Sequence, residues 1–190
     1  MRADPQFWPS VALVIAATAW SLFWLPLRAF EEAGLSAGWA TVAQFVVPAA
    51  LLAPVALWRR RRGKATGLAR VFSGFCLGAA FALYADSLLL TEVARTLILF
   101  YVTPAWGTIL EIVFMGRRLT VARALAVVLG LAGLYVILGG DGGLPLPRNA
   151  GDWMALLSGI IWAVGSLRLR QAGETVSDFE NVFGFFFYGA

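Results

Sequence analysis

Two carboxylates stand in otherwise apolar surroundings: Asp86 within Leu83-Tyr-Ala-Asp-Ser-Leu and Glu111 within Thr108-Ile-Leu-Glu-Ile-Val. An acid inside a long apolar run is one of the few side chains that can trade a proton or hold a cationic solute there. The competing reading pairs each with an arginine near water, Arg95 for Asp86 and Arg117 or Arg118 for Glu111. Deep aromatic rings form the second chemical group: Trp20, Trp24, Trp106, Trp162 and Tyr84. Their faces suit an aromatic, amphipathic or cationic solute through stacking and cation–π contact, or they simply pack. Pro104 is the third feature. It removes a backbone donor in the middle of an apolar helix, where a kink can gate or line a path, or only shape packing.

Other chemistry is poorly supplied. The chain has no His, and its one Cys, Cys76, lies in an apolar run. A membrane-embedded transferase or protease would need a convergent nucleophile, base or metal set, and this set is missing. No enzyme activity, cofactor or metal site is expected. The sequence also lacks Gly-x-x-x-x-Gly-Lys-Ser/Thr, so energy for any transport would come from an ion gradient or from exchange.

The elements that must position these residues are membrane helices. Hydrophobic residues make up 60% and charged residues 14% of the 190, too few polar groups to cover a soluble globule. The apolar runs are continuous and of spanning length, as helices require, and do not alternate as barrel strands would. Six complete spans are expected, at about Pro9–Pro26, Ala37–Trp58, Leu68–Leu90, Val93–Met115, Leu119–Leu138 and Trp153–Leu169, with a seventh beginning near Phe179. Trp8, Trp39, Trp58 and Trp153 fall at span ends, where interfacial anchoring explains them.

Basic residues set the orientation. With the N-terminus in the cytoplasm, the inside gaps hold Arg2, Arg59 to Arg62, Lys64, Arg70, Arg117, Arg118, Arg123, Arg168 and Arg170, and the outside gaps hold only Arg28, Arg95 and Arg148. Twelve inside against three outside predicts a multi-pass inner-membrane protein with a cytoplasmic N-terminus. The pI of 9.8 therefore reports topology and anionic headgroups, and no nucleic-acid partner is expected.

An internal repeat is also expected. Trp20-Ser-Leu-Phe-Trp-Leu-Pro-Leu-Arg28 lines up with Trp162-Ala-Val-Gly-Ser-Leu-Arg-Leu-Arg170, and the two segments cross the membrane in opposite directions. Inverted repeats are a common ground plan of secondary transporters. The organisation read from this is a first five-helix repeat over 1–138, an external Gly/Pro-rich linker over 139–149, and the start of a second repeat over 150–190. The last apolar run is too short to span, so the chain reads as a fragment of a longer protein.

Four stretches carry a family resemblance: Leu83-Tyr-Ala-Asp-Ser-Leu, Val102-Thr-Pro-Ala-Trp-Gly-Thr-Ile-Leu-Glu111, Gly116-Arg-Arg-Leu-Thr120 and Leu129-Gly-Leu-Ala-Gly-Leu-Tyr-Val-Ile137. Together they resemble the EamA-type module of the drug/metabolite transporter superfamily. The resemblance implies an all-α integral membrane protein with ten helices in two inverted five-helix repeats, here truncated. It also implies secondary active transport of a small metabolite or amphipathic compound outward across the inner membrane, by alternating access with proton or ion coupling. Arg117 stands where that pattern usually has Glu, so the role of the family's acid does not carry over. The rival reading is a half-size transporter or assembly subunit that works as an oligomer. Gly74-x-x-x-Gly78 and Gly130-x-x-Gly133 permit close helix approach, by default for packing and alternatively in a homodimer.

Overall fold

The computed structural model describes residues 7–34, 37–61, 68–138, 146–171 and 178–190. Every regular element among them is a helix: α1 (Phe7–Ser21), α2 (Trp24–Glu32), α3 (Ala37–Arg61), α4 (Leu68–Leu90), α5 (Val93–Phe100), α6 (Thr103–Met115), α7 (Val121–Leu138), α8 (Ala150–Gln171) and α9 (Asp178–Gly189). Of the expected linker, 139–145 lies outside the described residues, as do Arg2, Arg62 and Lys64. Five stretches have the length and composition to cross a bilayer: Phe7–Glu32, Gly38–Arg59, Val71–Leu90, Val93–Met115 and Ala150–Gln171. They occupy the expected first, second, third, fourth and sixth spans. The expected fifth is α7, an 18-residue helix at the short end of spanning length.

Two of these spans are broken, each for an identifiable reason. Pro26 has no N–H to give to the Leu22 carbonyl, and the Leu25 N–H takes that acceptor instead at 3.0 Å. The chain turns at Leu22–Phe23, with the Phe23 N–H on Trp20 O at 3.2 Å, and resumes as α2. Pro26 therefore does not end the first span. Trp20 and Trp24, four residues apart, lie on either side of the break.

The fourth span breaks at Tyr101–Val102, just before Pro104. Pro104 leaves the Phe100 carbonyl without its helical donor, and the Thr103 hydroxyl donates to it. This side-chain bond satisfies the carbonyl that hydrocarbon would otherwise leave unpaired. By contrast, α3 runs unbroken through Pro48 and Pro54.

Hydrocarbon tails are as apolar as leucine, so helices in lipid associate by close packing and polar links more than by apolar burial. The structure shows both. At the centre, α4 packs on α8, α9, α3, α5 and α2. Gly151, Ala155, Gly159 and Ala163 form a stripe at four-residue spacing along α8, all buried, with Ser158 and Gly165 beside it. A Cβ on Gly159 would sit 2.9 Å from Thr103 Oγ1, and one on Gly165 3.0 Å from Cys76 Cβ. On the other side of α4, a Cβ on Gly74 would lie 2.8 Å from Tyr188 Cδ2, and one on Gly78 2.5 Å from Gly189 Cα. The Gly74/Gly78 face is thus occupied by α9 of the same chain. In contrast, α1 contains no buried residue and α7 touches α5 and α6 only lightly, so both helices present apolar surface outward.

Candidate functional site

The breaks in the first and fourth spans meet at a cluster of rings. Trp20, at the end of α1, stacks on Tyr84 of α4 with centroids 5.9 Å apart, meets Phe81 edge-on at 5.2 Å, and meets Trp162 of α8 edge-on at 6.4 Å. Phe100, at the end of α5, lies 4.8 Å from Tyr84 and 6.1 Å from Trp162. Phe45 of α3 and Phe185 of α9 close the cluster, each 5.6 Å from Phe81. Trp24 packs against its edge. Edge-to-face and offset contacts of this kind hold rings in definite places while leaving their faces able to accept another π system or a cation.

Asp86 follows Tyr84 by two residues on α4, and its carboxylate accepts a hydrogen bond from Thr41 Oγ1 of α3 at 2.9 Å. The arginine that the competing reading offers it is engaged elsewhere. Arg95 instead holds Asp152, donating from Nε at 3.0 Å and from Nη2. The Asp152 side chain is fully buried and also accepts from Thr91 Oγ1 at 2.7 Å and the Arg148 N–H at 2.9 Å. Asn149 caps α8 by accepting the Asp152 N–H at 2.8 Å, so the acid is fixed by the helix start itself.

Glu111 lies at the other end of the fourth span. Gly116, at φ +61°, ends α6 in the left-handed conformation and turns the Arg117 N–H back onto Glu111 O at 3.3 Å. Three guanidiniums converge on the Glu111 carboxylate: Arg170 at 2.9 Å, Arg123 at 3.1 Å and Arg117 at 3.7 Å. The reading that gave Glu111 an arginine partner holds for Arg117, with Arg123 and Arg170 in addition. Arg28 is turned onto the Leu88 carbonyl at 3.2 Å. Two ion pairs therefore tie α8 to the broken span, Arg95–Asp152 at one membrane face and Glu111–Arg170 at the other.

The sequence matches the EamA-like transporter family over residues 7–139, which cover α1 through α7. The chain belongs to that family. It is a multi-pass membrane transporter of the drug/metabolite type, and its partners are a small-molecule substrate and the lipid bilayer. No curated protein and no solved structure matches the chain.

In this EamA-like chain, Trp20, Trp24, Tyr84 and Trp162 come together at the broken helices, with Pro104 beginning the second half of one of them. Asp86 is on the same helix as Tyr84 but faces Thr41. Trp106 and Glu111 lie on α6 and contribute no ring or acid to the cluster; the Trp106 indole N–H is buried with no acceptor among the described residues. The phenylalanines of the cluster and Asp152 were not expected from the sequence. The dense Phe183-Gly-Phe-Phe-Phe187 run was a readable signal for the former, whereas Asp152 looked like the flank of a span beginning at Trp153.

Proposed function

We propose that the protein is a secondary active exporter of small amphipathic or cationic aromatic compounds, working by alternating access across the inner membrane with its N-terminus in the cytoplasm. The observation that carries this reading is the meeting of two discontinuous helices at one ring cluster. Discontinuous helices near mid-membrane recur at transporter binding sites, because they bring polar backbone and mobile hinges to the same depth. Opening either break would move Trp20 or Phe100 away from Trp162 and present π faces to a solute. The Trp106 N–H supplies a donor in want of an acceptor, and Asp86 is the acid suited to exchange a proton or ion with the gradient. Glu111, held by three guanidiniums, acts as an anchor.

In the same proposal, 1–138 forms the first repeat and 150–190 begins its inverted counterpart. The contact of Trp20 with its repeat equivalent Trp162 supports this symmetry. The test is flux of tetraphenylphosphonium in proteoliposomes under an imposed pH gradient. Flux above that of empty vesicles is expected, lost in Trp20→Ala and Trp162→Ala and uncoupled from pH in Asp86→Asn. Flux equal to empty vesicles across a panel of aromatic cations, or gradient dependence untouched by Asp86→Asn, would overturn the reading.

A further inference from the structure

Between α5–α6 and α7 runs a groove of 460 Å³, lined by apolar groups that include Ile98, Val127, Gly130, Gly133 and Leu134, with one charged residue, Arg123, at its end. The glycines make it: a Cβ on Gly130 or Gly133 would meet nothing within 4 Å. Arg123 is one of the three guanidiniums around Glu111. One carboxylate against three guanidiniums leaves two positive charges, and these side chains remain 39–53% exposed at the membrane face where α6 ends, α7 begins and α8 ends.

From Arg123 to Ile137, both lining the groove, α7 rises about 21 Å at 1.5 Å per residue, about two thirds of the roughly 30 Å hydrocarbon core. Apolar walls leading to a net positive cluster match the make-up of an anionic lipid, with its chain in the groove and its headgroup at the arginines.

We propose that this groove is a binding site for an anionic phospholipid of the surrounding bilayer, with one acyl chain along α6 and α7 and the phosphate on Arg123, flanked by Arg117 and Arg170. Basic pockets between membrane helices select anionic headgroups in this way. Glu111 orders the arginines and competes with the phosphate for them. The groove holds none of the cluster's rings, although its wall includes Tyr101, Val102 and Pro104 at the break in the fourth span.

Native mass spectrometry of the 190-residue chain in detergent tests this, by titration with dioleoyl phosphatidylglycerol, dioleoyl phosphatidylcholine and inorganic phosphate. Each headgroup-facing arginine should be worth about fivefold in affinity. Phosphatidylglycerol should bind about fivefold or more tighter than phosphatidylcholine. Arg123→Gln should remove about that factor for phosphatidylglycerol alone. Gly130→Leu, which fills the open groove, should weaken both lipids, and Glu111→Gln should tighten phosphatidylglycerol by removing the internal competitor. Arg117→Gln serves if the Arg123 variant does not fold. Equal binding of both lipids, or indifference to Gly130→Leu, overturns the site. Inorganic phosphate displacing the lipid at equal concentration would reassign it to a free anion. A dimer mass abolished by Gly130→Leu would give the groove to a second copy of the chain.

Discussion

Removing one partner of the Arg95–Asp152 pair should be among the most damaging single changes in the chain. The Asp152 side chain is fully buried and that of Arg95 is 11% exposed, so neither charge can turn to water when the other is lost. Breaking such a pair costs about 3–5 kcal/mol. Because Thr91 and the Arg148 N–H still support the carboxylate when Arg95 is gone, the lower figure applies, about 3 kcal/mol for Arg95→Met. Asp152→Asn leaves the guanidinium facing an amide and should cost a similar amount. The double variant buries no lone charge and should cost no more than either single change, which amounts to a coupling of about 3 kcal/mol. At 2–4 °C per kcal/mol for a chain of this size, each single variant should lower the thermal midpoint by about 6–12 °C. Unfolding followed by tryptophan fluorescence during titration of the detergent-solubilised protein with dodecyl sulfate gives the four free energies. Single variants costing under about 1 kcal/mol, or a double variant equal to the sum of the singles, would refute the claim that this pair is sealed from water.

The remaining expectations concern backbone and packing. Thr103→Val keeps the shape but strands the Phe100 carbonyl, and should destabilise by about 1–3 kcal/mol in the same titration. Gly78→Ala forces a methyl against Gly189 Cα and should loosen α9, read as proteolytic release of a C-terminal peptide; Gly107→Ala, which meets nothing within 4 Å, should raise stability by up to about 1 kcal/mol. Pro26→Ala restores a donor for the Leu22 carbonyl and should straighten the first span, lowering flux while raising the thermal midpoint.

The sequence revealed the long-range plan well and the cross-chain partnerships poorly. Length and apolarity placed the spans because a bilayer imposes them residue by residue, and Pro104 announced its break because a missing N–H is a local fact. Pro26 carries the same information, yet the break falls before it and the span runs on to Glu32. Ion pairing is decided at long range: the competing reading offers Arg95 to Asp86, nine residues away, yet Arg95 reaches 57 residues on to Asp152. Nothing local distinguishes those alternatives. The stripe Gly151-Ala155-Gly159-Ala163 was readable, since small residues four apart mark a close helix contact, but its match on α4, α5 and α6 emerges only once those helices stand side by side. In the ring cluster, the tryptophans were foreseen individually, whereas the phenylalanines that lock them together come from four different helices.

The stripe on α8 has a consequence for how the protein is made. It comes at the expense of leucine and phenylalanine, and with Asp152 it leaves the Ala150–Gln171 stretch at a hydropathy of 1.3, the lowest of the five spanning stretches. Such a segment leaves the translocon for lipid reluctantly, because its polar and small residues gain little from hydrocarbon. Its favourable surroundings are the walls of α4, α5 and α6, which the ribosome has already delivered when α8 emerges. Biogenesis therefore acquires an order: the earlier spans must already be standing, with the Arg95 guanidinium in place, before the sixth can be received. A lesion in α4 would then surface as an α8 that never integrates, a fault of synthesis in a residue far from the helix that goes missing.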